Sequence, residues 1–164
     1  MTTKADFTDE EWARLERAPI VAGMAITLAD PGGPIEAVKE SVASLKTILE
    51  AAQAGGRGEL VDAVAKEAAD KVQRRESPLG DFKPRGALAG EEIVEELRAV
   101  NALVTEKAAP EDAAAFRDYL LSAARRAADA AKEGGFMGFR AERVSEGEQR
   151  MLDKLGEVLA APAG

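Results

Sequence analysis

Glu91, Glu92, Glu95 and Glu96 are the residues whose type and spacing best suit chemistry. On a helix, Glu91 with Glu95 and Glu92 with Glu96 form two like-charged pairs four positions apart. Each such pair opposes helix formation by ~0.2–0.5 kcal/mol, so a bound cation would relieve a real repulsion. An oxygen-rich helical face of this kind can hold magnesium and, through it, a pyrophosphate. The same acids also suit the positive end of a helix, and a charge run is commonly a solvated face.

Two other groups could act on a ligand or partner. Between Lys71 and Arg85 the cations Lys71, Arg74, Arg75, Lys83 and Arg85 outnumber Glu76 and Asp81, which makes a locally basic patch on an acidic chain. Arg74, Arg75, Lys83 and Arg85 are its candidate anion-binding residues. The sequence Gly135-Phe136-Met137-Gly138-Phe139 sets three large apolar side chains, Phe136, Met137 and Phe139, outside any regular helix. They either plug one end of a helical bundle or form an anchor for a partner, as aromatic and Met-rich surfaces do.

Most common catalytic devices cannot be written in this chain. It has no histidine and no cysteine. A Ser-His-Asp triad, a Cys-His pair, an HExxH zinc site and a thiolate zinc site are therefore impossible. The Glu-x-x-His elements of a ferritin-like di-iron site are missing as well. Neither G-x-x-x-x-G-K-[ST] nor G-x-G-x-x-G occurs, and nothing calls for a cofactor.

The elements that would position these residues are helices. Thr8 and Glu11 form a T-x-x-E capping box, with Phe7 and Trp12 placed as a hydrophobic staple. Pro19 should kink or restart this first helix, because it lacks the donor that an interior turn needs. From Ile20 to Ala29 the chain is apolar on every face, which predicts a central helix buried all round. Asp30-Pro31-Gly32-Gly33-Pro34 is the strongest turn signal. Ile35, Val38, Val42, Leu45, Ile48 and Leu49 then form an amphipathic stripe ended by Gly55-Gly56. A third helix carries Leu60, Val61, Val64, Ala68 and Val72. The irregular stretch from Ser77 to Gly90 follows, with Leu79 and Phe82 expected to pin it. A fourth helix runs over about Glu91–Lys107, and a fifth runs from Pro110 to Gly134. A last helix opens at a second capping box, Ser145 and Glu148. No segment alternates with period two for long enough to be a strand. The spacing predicts an all-α, single-domain bundle of five to six helices with a buried central helix, spanning residues 1–164, with 1–6 and 160–164 frayed.

Composition narrows the partners. The formal charge of −8 opposes nucleic-acid binding, which needs a basic footprint. Aromatic residues are only 4% of 164 residues, and alanine supplies about a fifth, so the core is one of closely approaching helices. Ala18–Ala29, the longest uncharged run, is shorter than the ~20 residues of a membrane span. The N-terminus does not read as a signal peptide. A soluble cytoplasmic protein without a membrane partner is the expectation.

Trp12, Ala18-Pro19 with Gly23 and Ala25, Ala29-Asp30-Pro31, Gly134 through Phe139, and Val144-Ser145-Glu146 with Glu148 together resemble small all-helical bacterial proteins of unknown function of actinobacterial type. That likeness spans nearly the whole chain and assigns no catalytic residue. The E-E-x-x-E run at Glu91 also resembles half the signature of all-α nucleotide pyrophosphohydrolases of the MazG type. In that family an E-x-x-D follows on a later helix, whereas here Glu67 and Asp70 come earlier. The leading expectation is a non-catalytic interaction or assembly protein, a homo-oligomer joined through small-residue helical faces. A magnesium-dependent phosphohydrolase using the fourth-helix glutamates is the alternative. A small-ligand binder with a pocket between helices, closed by the Ser77–Gly90 stretch, is the third.

Overall fold

A computed structural model describes residues 2–29, 34–132 and 145–162. Six α-helices follow one another: α1 (Asp9–Ala29), α2 (Pro34–Ala54), α3 (Glu59–Gln73), α4 (Ala89–Lys107), α5 (Pro110–Lys132) and α6 (Glu146–Val158). Two short 3-10 turns, Lys4–Asp6 and Gly86–Leu88, complete the regular structure, and no strand occurs among the described residues. The chain is an all-α bundle.

Local chemistry sets the ends of these helices. The Thr8 backbone N–H donates to Glu11 Oε2 at 2.8 Å, and the Glu11 N–H donates to Thr8 Oγ1 at 3.2 Å. The Phe7 and Trp12 rings close the staple at 5.8 Å. Ser145 and Glu148 form the same reciprocal box at the start of α6. Gly55 and Gly56, just past α2, have φ of 60° and 77°, a left-handed backbone that a side chain disfavours.

α1 is the centre of the bundle and contacts all five other helices. It neither breaks nor restarts at Pro19 but runs through it as one element. Proline inside a helix removes the hydrogen bond to the carbonyl four residues back and costs ~3 kcal/mol. Burial on both sides of it offsets that cost: Leu15, Ala18, Val21, Ala22 and Ile26 are all sealed in the core. The second half of α1 is not buried all round, however. Ile20 and Met24 are half-buried, and Leu28 is 46% exposed.

The inward face of α2 also differs from the apolar stripe. Val42 is 44% exposed, whereas Ser44, Thr47, Ile48 and Ala51 face inward. The reason is steric. α2 crosses α1 at Gly23, where a Cβ would lie 2.1 Å from Ser44 Oγ and 3.8 Å from Ala127 Cβ. A crossing this close admits small hydroxyl-bearing residues rather than valine or leucine.

The N-terminal residues expected to fray are tied down from Thr2 onwards. The Thr2 N–H donates to Asp112 Oδ2, and Thr2 Oγ1 accepts from the Ala109 N–H at 2.9 Å. Thr3 donates through both its N–H and its hydroxyl to Asp6 Oδ2, which shapes the 3-10 turn. Leu79 and Phe82 do pin the Ser77–Gly90 stretch, both packing against the main core. The Arg17 guanidinium lies 5.2 Å from the Phe82 ring centre, a cation–π contact.

Candidate functional site

The strongest concentration of interacting charge lies where α1, α3 and the N-terminal 3-10 turn meet. On α3, Asp70, Lys71 and the capping residue Arg74 lie three, four and seven positions beyond Glu67, so the four share one face. On α1, Trp12 and Glu16 are four apart and turn toward them. The Lys4–Asp6 turn brings Lys4 over the same place. A cleft of about 410 Å³ opens here, lined by these residues with Asp9 and Ala13.

Glu67 is the hub. It accepts from Trp12 Nε1 at 2.7 Å and from Lys4 Nζ at 2.9 and 2.8 Å. The Lys4 ammonium also sits 5.7 Å from the Trp12 ring centre. Glu16 forms the floor at 2% exposure. Lys71 pairs with its Oε2.

These environments drive two neighbouring carboxyls apart. Burial raises the Glu16 carboxyl, and the adjacent Glu67 adds to the rise, while Lys71 opposes it. Burial also pushes Glu67 upward, but the donors from Lys4 and Trp12 outweigh it and hold this carboxylate below its ordinary value. Lys4 is raised in turn, chiefly by its bond to Glu67. A carboxyl raised by burial beside one held low by its donors is the arrangement from which acid and base roles are drawn. It can also present opposite charges to one ligand.

The fourth-helix glutamates are not gathered. Glu91, Glu92 and Glu95 are exposed on the first turns of α4, and Glu95 pairs with Arg98 at 2.7 Å. Glu96 turns inward, where its Oε1 accepts from Arg14 Nε at 3.1 Å and from Arg17 Nε at 2.9 Å, with Arg17 Nη2 in ion-pair contact at 2.7 Å. Arg14 and Arg17 leave α1 on the flank opposite Trp12 and Glu16, at 100° per residue. The Glu96 cluster and the Glu67–Asp70 cluster are thus separated by α1, each with its own cations. Among the described residues no three acidic side chains are placed to hold a metal ion.

Of the basic patch, Arg74 reaches the cleft, where it also pairs with Glu76 at 3.1 Å. Arg75, Lys83 and Arg85 are exposed and do not line it. Phe136, Met137 and Phe139 lie outside the described residues. Ala123, Ala124, Ala127 and Ala128 of α5 are fully buried within the bundle, where α5 packs on α1 and α2.

Sequence reasoning missed this cleft because Glu16, Glu67 and Lys4 come from distant segments. The available signal was W-x-x-x-E on one helix and E-x-x-D-K-x-x-R on another. No family model, no curated protein sequence and no solved structure matches the chain.

Proposed function

We propose that this protein binds a small polar ligand, without transforming it, in the cleft between α1, α3 and the N-terminal turn. The ligand is a compact zwitterion, its anionic group facing Lys71 and Arg74 and its cationic or donor group facing Glu67 and Asp70. The carrying observation is Glu16: a carboxyl only 2% exposed, paired with Lys71, at the base of an open cleft. Buried ion pairs are poor stabilisers compared with well-packed apolar groups. A charged cluster at an open cleft in an otherwise alanine- and leucine-rich core therefore supports recognition rather than stability alone. The rim pairs Lys4–Glu67 and Arg74–Glu76 are half or more exposed on the cation side. Such pairs contribute ~0–1 kcal/mol, so a ligand can exchange with them at low cost.

The test is a thermal-shift screen with a panel of free amino acids and small aminocarboxylates, followed by calorimetry on any stabilising compound. At saturation a hundredfold above Kd, binding should stabilise the fold by about 2.7 kcal/mol. Arg74→Gln, at an exposed position, should weaken binding about tenfold without loss of fold. A panel with no stabilising compound, or one whose binding is indifferent to Arg74→Gln and Lys71→Gln, would sink this reading.

A further inference from the structure

The chain itself already places an ammonium group in the cleft. Lys4 Nζ donates to both Glu67 oxygens, at 2.9 and 2.8 Å, and lies 5.7 Å from the centre of the Trp12 ring. Trp12 Nε1 donates to Glu67 Oε2 at 2.7 Å, which fixes the carboxylate beside the indole. All three residues line the cleft. A carboxylate next to an aromatic face is a recognition element for a cation: the ring quadrupole attracts the charge, and the oxygens accept its N–H groups.

Lys4 is mounted so that its side chain can leave while its backbone stays. The Thr2 N–H is held by Asp112 Oδ2 and its hydroxyl accepts from the Ala109 N–H. The Asp6 N–H donates to the Thr3 carbonyl and the Phe7 N–H to the Lys4 carbonyl. None of these bonds uses the Lys4 ammonium. Its side chain is 51% exposed, so rotation about the stem carries Nζ into solvent. An exposed pair of this kind favours its closed form by about fivefold at most. The other cleft lysine differs: Lys71 pairs with Glu16, which is only 2% exposed.

We propose, on the strength of the cleft reading above, that Lys4 is a built-in competitor. Its ammonium occupies the seat of the ligand's own primary ammonium, between Glu67 and the Trp12 ring, and the ligand enters by displacing it. A primary ammonium reproduces the Lys4 contacts, whereas a quaternary ammonium has no donors for the Glu67 oxygens. Removing the Lys4 charge therefore strengthens the site, an effect that a purely structural ion pair would not have.

Ethylammonium chloride is the probe, and tetramethylammonium chloride is the control of equal charge. Ionic strength is held at about 0.5 M with potassium chloride, which screens repulsion beyond about 5 Å. The Trp12 Nε1–H resonance of the full chain should move saturably with ethylammonium and stay in place with tetramethylammonium. Lys4→Met keeps the length of the stem and removes the competing charge. It should tighten ethylammonium binding about two- to fivefold over the parent. Adding Glu67→Gln to Lys4→Met should weaken binding about tenfold. The proposal is overturned if Lys4→Met binds ethylammonium no tighter than the parent, if tetramethylammonium moves the resonance equally, or if the double variant binds as tightly as Lys4→Met. Aminocarboxylates that stabilise the parent, with no gain from Lys4→Met, overturn the competitor and leave the cleft reading standing. A gain for ethylammonium when no aminocarboxylate binds upholds the ammonium seat and removes the anion contact to Lys71 and Arg74.

Discussion

Glu16 and Glu67 show how one cleft can give two identical side chains opposite dependences on pH. The folded Glu67 carboxyl lies below its ordinary value of 4.5. Its contribution to stability is complete above that value and is lost as pH falls through the lower, folded value. The folded Glu16 carboxyl lies above 4.5. Its contribution is complete below 4.5 and disappears as pH rises through the raised value, so near neutrality its ionised form is a cost. Denaturant titrations of Glu16→Gln and Glu67→Gln beside the parent protein, from about pH 7 to about pH 3, should separate the two. The deficit of Glu67→Gln should shrink as the solution becomes acid. The advantage of Glu16→Gln over the parent should be greatest near neutrality and fall toward acid. Parallel curves for the two variants would contradict the assignment. Little of this was legible in the sequence. Lys4 and Glu67 are 63 positions apart, and no local rule links them. Thr8 with Glu11 and Ser145 with Glu148 could be read because both partners sit within one turn.

At the scale of elements, the crossing of α1 and α2 depends on Gly23. Alanine there would gain up to ~1 kcal/mol in helix propensity. Its Cβ would also lie 2.1 Å from Ser44 Oγ. Ser44 is 2% exposed, so its hydroxyl has little room to turn away, and overpacking of this kind costs ~1–3 kcal/mol. Gly23→Ala should therefore be destabilising by about 1–2 kcal/mol on balance. Adding Ser44→Ala should recover most of the loss, since Ser44 Cβ is 3.4 Å from the new methyl position. A double-mutant cycle by chemical denaturation measures that coupling, and purely additive effects would show that the crossing is not set by this pair. The sequence marked both helices, the Thr8–Glu11 cap of α1 and the Gly55-Gly56 stop of α2, while the turn signal from Asp30 to Gly33 lies outside the described residues. It could not mark which face of α2 turns inward, because that choice follows from a glycine on another helix. Valine at 42 fits the apolar period and still faces outward.

For the molecule as a whole, α1 and α5 each contact every other helix. A bundle built this way has no half that can lose its packing independently. Thermal unfolding should be one cooperative transition, with equal calorimetric and van't Hoff enthalpies, as expected for a two-state domain of this size. Two resolved transitions would mean that a subset of helices holds together without the α1–α5 pair. The all-α class was legible from apolar spacing, proline and glycine punctuation, and two capping boxes. The central helix was legible from its unbroken apolar run. The packing order was not, because it depends on shape complementarity between segments far apart in the chain.

The indole of Trp12 is the only one in the protein, and its N–H points at the Glu67 carboxylate beside the cleft. The molecule thus carries an intrinsic fluorophore where its charges converge. Its emission follows the protonation and displacement of that one carboxylate without a label, against a background of a single tyrosine.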